Sequence, residues 1–192
     1  MLAGVTRHGI DVPGGTETVR GARRTFDRRK SKFIFKGVPV TLARLDLEEL
    51  HGLRVDAVMT VPVTSDGDLV VVQLCRGVEL PGGMVEPTDE GLVEAARREA
   101  WEEACIELDG FGLAALLRVA SDEQHWNHIN VAVYAGRVTR LAPFVREAES
   151  LARFVVSPDV YVNHATSFGV VSDRAEILRE ALAALERRSE AA

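Results

Sequence analysis

Apolar and polar residues alternate from Phe33 to Leu45, with a break at Lys36-Gly37, which predicts a strand or hairpin at the edge of a domain. Leu47 to Leu50 predicts one helical turn. The run VDAVMTVPVT, Val55 to Thr64, is β-branched and apolar. A turn at Ser65-Asp66-Gly67-Asp68 carries it into the equally apolar LVVVQLC, so the two predict a buried hairpin. A short extended piece follows Arg76, from Val78 to Leu80. Gly110 to Ala120 and Ile129 to Val138 predict two longer strands joined by the polar stretch SDEQHWNH, and Leu151 to Val156 predicts another.

Between these strands the period lengthens to that of a helix. Val93, Ala96, Ala100 and Ala104 form a narrow stripe of small apolar residues, which lets a helix lie close against its neighbour. Thr88 or Asp89 suits its N-cap, with Glu90 in the first turn complementing the macrodipole. A second helix runs from Asp173 to Arg188. Asp173 caps it, Glu176 stands three residues on, and Ala175, Ile177, Leu178, Ala181, Leu182 and Leu185 make its apolar face. Several short strands with a helix in the middle and one at the end predict an α/β fold, a mixed sheet packed between helices.

Composition narrows the class. The chain of 192 residues suits one domain with appendages, read as an irregular basic arm over residues 1 to 32 and a single domain over 33 to 192. No run of 18 apolar residues occurs and the N-terminus lacks a signal-peptide core, so no membrane partner and a cytoplasmic location are expected. Cys75 and Cys105 fit no zinc spacing and are expected to be buried free thiols. A net charge of −6 argues against a stable nucleic-acid partner. The arm departs from that balance: Arg20, Arg23, Arg24, Arg28, Arg29, Lys30 and Lys32 face the single acid Asp27. Such a stretch reads either as a solvated lead-in or as an anion-binding arm, and the first is favoured because charge-rich terminal stretches are usually exposed.

Chemistry concentrates in the first helix. Glu99, Glu102 and Glu103 stand at i, i+3 and i+4, on one strip, where like charges cost a few tenths of a kcal/mol per pair. Oxygen-only ligands suit Mg²⁺. The same residues also read as a solvated helix face. Pro81-Gly82-Gly83 stands just before this helix, and two glycines permit a backbone approach that a Cβ would block.

The stretch Gly82 to Ile106 resembles the Nudix box, G-x5-E-x7-R-E-U-x-E-E-x-G-U, through Gly83, Glu90, Arg98, Glu99, Ala100, Glu102, Glu103 and Ile106. Six residues separate Gly83 from Glu90 where the pattern has five, which leaves Glu90 and Asp89 as candidates for the box's first acid. Cys105 replaces a glycine, implying either about 1 kcal/mol of left-handed strain or a shifted cap. The resemblance implies the Nudix α/β/α sandwich with a mixed sheet. It also implies metal-dependent hydrolysis of a diphosphate linkage, with Mg²⁺ or Mn²⁺ as cofactor and a small nucleotide as substrate. Glu99 and Glu103 would be the chief metal ligands, Glu102 a further one, and Gly83 would offer its carbonyl. Arg98 would point off the acidic strip and pair with Glu90. Glu99, or Glu149 in the loop before the strand at Leu151, would be the base, with Glu147 next in line.

Arg76, Glu79 and Pro81-Gly82-Gly83 are similar to the R…E-x-P-G-G entry of nucleotide-sugar and ADP-ribose hydrolases of that family, which places these substrates ahead of nucleoside triphosphates. Trp126 in the polar stretch SDEQHWNH reads equally as a ring that stacks on a nucleobase and as one tucked over the core. A catalytically silent nucleotide-binding regulatory module is the alternative reading, and the hairpin at residues 33 to 45 can add a strand across a homodimer.

Overall fold

The computed structural model describes residues 30–35, 38–121, 128–146, 149–165 and 169–190. Its strands are β1 (Lys30–Phe35), β2 (Val38–Leu45), β3 (Ala57–Val63), β4 (Leu69–Leu74), β5 (Gly77–Glu79), β6 (Gly82–Met84), β7 (Ile106–Ser121), β8 (Ile129–Leu141) and β9 (Ala152–Val156). The α-helices are α1 (Leu92–Ala104), α2 (Pro158–His164) and α3 (Val171–Glu190), and a 3-10 turn spans Leu47–Gly52. Residues 1–29 of the expected arm lie outside the described residues, while Lys30 to Lys32 already belong to β1.

The strands hydrogen-bond in the order β1-β2-β7-β8-β3-β4-β5, with β6 on β3 and β9 on β4. The β3–β8 pair is parallel, from Ala57↔Val131 to Val63↔Arg137, and the other pairs are antiparallel, so the sheet is mixed as expected. Every residue of β3 is buried, as a strand covered on both faces requires. On one face α1 packs over Val58, Val70, Val72, Leu116 and Ala132. On the other, Ile177, Leu178, Ala181 and Leu185 of α3, with Tyr161 of α2, pack over Val61, Val71, Leu117 and Val133. Each such Leu, Ile or Val contributes about 1.5–3 kcal/mol by leaving water. The result is an α/β/α sandwich. Close approach of α3 to β7 depends on Gly112, where a Cβ would stand 2.8 Å from the Ala184 carbonyl oxygen.

The hairpin of β3 and β4 forms, but the two strands pair only at Val63↔Leu69 and then part. Into the gap between them comes the segment leading from β5 to β6. Both the backbone N–H and the hydroxyl of Thr60 donate to the Pro81 carbonyl, at 2.8 and 3.1 Å, and Gly82 to Met84 pair with Met59 to Ala57. This short β6 carries no apolar alternation of its own and is made a strand by its partner, which is why its pattern gave no sign of it.

Several boundaries differ from the sequence pattern. The helix α1 starts at Leu92 with Gly91 as N-cap, later than Thr88 or Asp89, because the Asp89 carboxylate is committed to the Glu86 N–H at 2.7 Å and to Arg98. Val93 is exposed, and Ala95 takes its place in the buried stripe. The helix α3 starts at Val171, so Asp173 sits in its first turn and accepts from the Val170 N–H at 2.9 Å and the Ser31 hydroxyl at 2.6 Å. Ala175 is exposed and Arg174 is buried instead, since its guanidinium donates to the carbonyls of Val162 and Gly169 and ties down the end of α2. Cys105 is buried as expected, whereas Cys75 is exposed; both are free.

Candidate functional site

Ala95, Ala96, Ala100 and Ala104 are fully buried, and their small side chains let α1 settle onto the sheet. That depth takes two of the three strip carboxylates with it. Glu99 and Glu103 are 8% and 9% exposed, while Glu102 stays at the surface. Glu103 Oε2 accepts from the Gly82 N–H at 2.9 Å. The Glu99 carboxyl lies against Gly83, where any Cβ would overlap it, and a Cβ on Gly82 would run into the β3 backbone at Val58 and Met59, so one glycine is needed against the helix and the other against the sheet.

Arg98 does not point off the strip. Its Nη1 donates to Glu99 Oε1 at 2.8 Å and Glu102 Oε2 at 3.1 Å, while Nε and Nη2 fork onto Asp89 at 3.0 and 3.1 Å. Nη2 also reaches the Met84 carbonyl at 3.0 Å. The partner is therefore Asp89 and not Glu90, which is exposed. Asp89 follows Gly83 after five residues, 84 to 88, so it restores the box spacing on that side of the loop. The bonds from Arg98 hold the Asp89 carboxyl below its ordinary range, and those same bonds outweigh burial in keeping Arg98 charged.

Beside this helix edge Arg76 binds Glu79 at 2.6 Å and Glu149 at 3.0 Å. Burial opposes the Arg76 charge, and its bonds to Glu79 and Glu149 prevail. Arg76, Glu79, Gly83, Arg98, Glu99, Glu102, Glu103 and Glu149 thus fall in one region linked by hydrogen bonds and charge. Trp126 and Glu147 lie outside the described residues.

Burial pushes the Glu103 carboxyl up to about 7, against the pull of the Gly82 N–H, with the Glu99 charge adding to the rise. Burial also raises Glu99, opposed by Arg98. Two half-desolvated carboxylates side by side are what a hard cation would stabilise, and an all-oxygen donor set fits Mg²⁺ or Mn²⁺. As the side chains stand, no three His, Cys, Asp or Glu among the described residues converge on one point. The Arg98 guanidinium lies between Glu99 and Glu102.

The far end of α1 resolves the cysteine question in favour of strain. Cys105 has φ 50° and ψ 47°, left-handed, and its N–H closes the helix onto Trp101 O at 2.9 Å. Arg153 of β9 holds this end, donating through Nη1 to the carbonyls of Ala104, Cys105 and Ala142 at 2.8, 3.2 and 2.9 Å. Sequence reasoning passed over Arg153, since nothing local marks an arginine in a strand as a helix clamp.

The NUDIX domain family profile matches residues 53–168, more than half of the chain. The protein belongs to the Nudix family and is a Nudix hydrolase. No curated protein matches it significantly. Solved structures share the fold. A point mutant of the Bacillus subtilis pyrophosphohydrolase BsRppH aligns at 20% identity and TM-score 0.58 over 81% of this chain and 96% of its own. The Nudix domain of Shewanella oneidensis NrtR, complexed with ADP ribose, aligns at 16% and 0.55 over 72% and 99%. A C. elegans Ap4A hydrolase binary complex aligns at 19% and 0.53 over 70% and 99%.

Proposed function

We propose that this Nudix hydrolase cleaves the diphosphate linkage of nucleoside diphosphate derivatives in the cytoplasm, with nucleotide sugars and ADP-ribose-type compounds slightly favoured over nucleoside triphosphates. The observation that carries the reading is the seating of Glu99 and Glu103, both buried, against Gly82-Gly83, with Arg76 and Glu79 alongside. ADP ribose, present with the NrtR domain, belongs to the favoured class. The free thiols Cys75 and Cys105 suit a reducing compartment.

Glu99, Glu102, Glu103 and the Gly83 carbonyl would hold Mg²⁺ or Mn²⁺, which when bound neutralises phosphate charge and acidifies water. The remaining work falls to the chain itself. Asp89 anchors the Arg98 fork, so that Arg98 can release Glu99 and Glu102 without leaving the loop. Arg76 presents a cation to the phosphates, held by Glu79 from one side and Glu149 from the other. Glu149, exposed at the rim, or Glu99 takes the proton of the attacking water. A new P–O bond forms, the bridging P–O–P bond breaks, and the two products are a nucleoside monophosphate and the phosphate of the leaving group.

The test is a panel of ADP-ribose, nucleotide sugars and nucleoside triphosphates with Mg²⁺, scored by product mass. Nucleoside monophosphate from ADP-ribose or nucleotide sugars is the expected result, and turnover of none of the panel overturns it. The position of Arg98 Nη1 between Glu99 and Glu102 favours one other reading, a silent nucleotide-binding module. Tight nucleotide binding without turnover is its signature.

A further inference from the structure

The last turn of α1, Trp101-Glu102-Glu103-Ala104, carries two carboxylates and no basic residue. The unpaired carbonyls of a helix gather partial negative charge at that end, so acids there are repelled and a cation is favoured. The end of the strip therefore stands where the helix by itself holds acids least well. Arg153 of β9 supplies the missing cation from 49 positions further along the chain. Its Nη1 draws the Ala104, Cys105 and Ala142 carbonyls onto one nitrogen, and with them the end of α1, the approach to β7 and the segment after β8.

Arg153 is itself well anchored. It pairs with Val72 of β4, which is fully buried in the cluster under α1, so its side chain leaves the sheet on the helix face. Both ends of the link bear on the site. Ala104 directly follows Glu103, whose carboxyl accepts from the Gly82 N–H at 2.9 Å. Arg153 comes four residues after Glu149, which Arg76 holds at 3.0 Å. Arg98 on Asp89 ties the helix down just before Glu99, and Arg153 ties it down just after Glu103. The two buried acids lie between these ties.

We propose that Arg153 is a positioning residue for the hydrolysis: by joining α1 to β9 it fixes the seat of Glu103 on Gly82 and the separation of the strip from Glu149. The inference rests on the reading of Glu103 as a metal ligand in that reaction.

Three variants test it. Arg153→Met keeps an unbranched stem and loses the donor, while Arg153→Lys offers several N–H donors from one nitrogen, as Nη1 does. Arg174→Met unties α2 from α3 on the opposite face of the sheet and shows what a purely structural loss does. All are measured well below their melting temperatures, so that folded proteins are compared. Hydrogen exchange of the Gly82 amide needs neither metal nor substrate. It should quicken about tenfold in Arg153→Met and stay within about twofold of wild type in Arg174→Met, since only the first opens the local contact. In turnover with saturating Mg²⁺, kcat should fall about 10- to 100-fold in Arg153→Met with KM for the nucleotide within about threefold, the loss that a small displacement of reacting groups brings. Arg153→Lys should recover most of both. Where Arg153→Met does not fold, Arg153→Gln, shorter and uncharged, takes the same two measurements.

An unmoved Gly82 amide in Arg153→Met overturns the proposal, as do an unchanged kcat, a rise confined to KM, an equal fall of kcat in Arg174→Met, or no recovery in Arg153→Lys. If the wild type turns over none of the nucleotide panel, the hydrolase reading fails, while a Gly82 amide that quickens in Arg153→Met alone still upholds the seating of Glu103 by Arg153.

Discussion

Arg98 and Asp89 meet as a two-pronged ion pair, Nε to Oδ1 at 3.0 Å and Nη2 to Oδ2 at 3.1 Å, tying the box loop to the helix that carries the acids. Paired bonds of this kind fix geometry as well as adding attraction. Asp89→Asn is expected to lower Tm and turnover together, because it frees the loop that bears Gly83. Glu90→Gln, at an exposed neighbour, leaves both near wild type. Equal effects of the two substitutions in thermal melts and rate assays would refute the assignment of Asp89 as the brace.

Glu103→Gln keeps the volume and the acceptor for the Gly82 N–H while removing charge from the buried side of the strip. Turnover with Mg²⁺ is expected to drop by orders of magnitude with Tm unchanged or higher. A rate within about threefold of wild type would exclude Glu103 as a ligand.

The raised Glu103 carboxyl sets a pH dependence for the metal-free protein. Its folded value of about 7 stands above the ordinary carboxyl value of 4.5, so between these limits the folded state binds the extra proton. Stability is therefore full below roughly pH 4.5 as far as this group is concerned and is lost as pH rises through 7. Urea midpoints measured in chelator should climb as pH is lowered from about 8 to 5.5, and the climb should flatten in Glu103→Gln. A midpoint that falls over that range in the wild type would contradict the burial-driven shift.

Gly112→Val puts a branched side chain where Ala184 of α3 already stands, the Ala184 carbonyl being only 2.8 Å from a bare Cβ. The cost of forcing helix and strand apart is about 1–3 kcal/mol. Denaturant unfolding measures it, and kcat should change little because α3 lies on the face opposite α1.

The acidic strip was legible because i, i+3 and i+4 spacing places side chains together by helix geometry alone, with no help from the rest of the chain. The strands of the central sheet were legible for a like reason: β3 and β4 are buried on both faces almost throughout, and their Val-rich, mostly apolar runs record it. The partner of Arg98 was not. Asp89 and Glu90 are neighbours with the same charge, and the choice depends on where the loop turns before Gly91. Arg174 broke the expected apolar face of α3 for a related reason, since its acceptors, Val162 in α2 and Gly169 just ahead of α3, come within reach only once the two helices pack together.

Local periodicity was sufficient to define the helix of acids, the apolar strands and the box, because each of these depends on neighbours a few residues away. Folding alone decided which carboxylates are buried and which stays wet, that Gly82–Met84 becomes a strand, and that Arg153 of β9 grips the end of α1. Those outcomes depend on contacts between residues some 20 to 50 positions apart, as with Gly82 and Glu103 or Ala104 and Arg153, where |i−j| is 21 and 49. No short-range pattern encodes such pairs, because either partner would look the same in sequence had the sheet opened elsewhere.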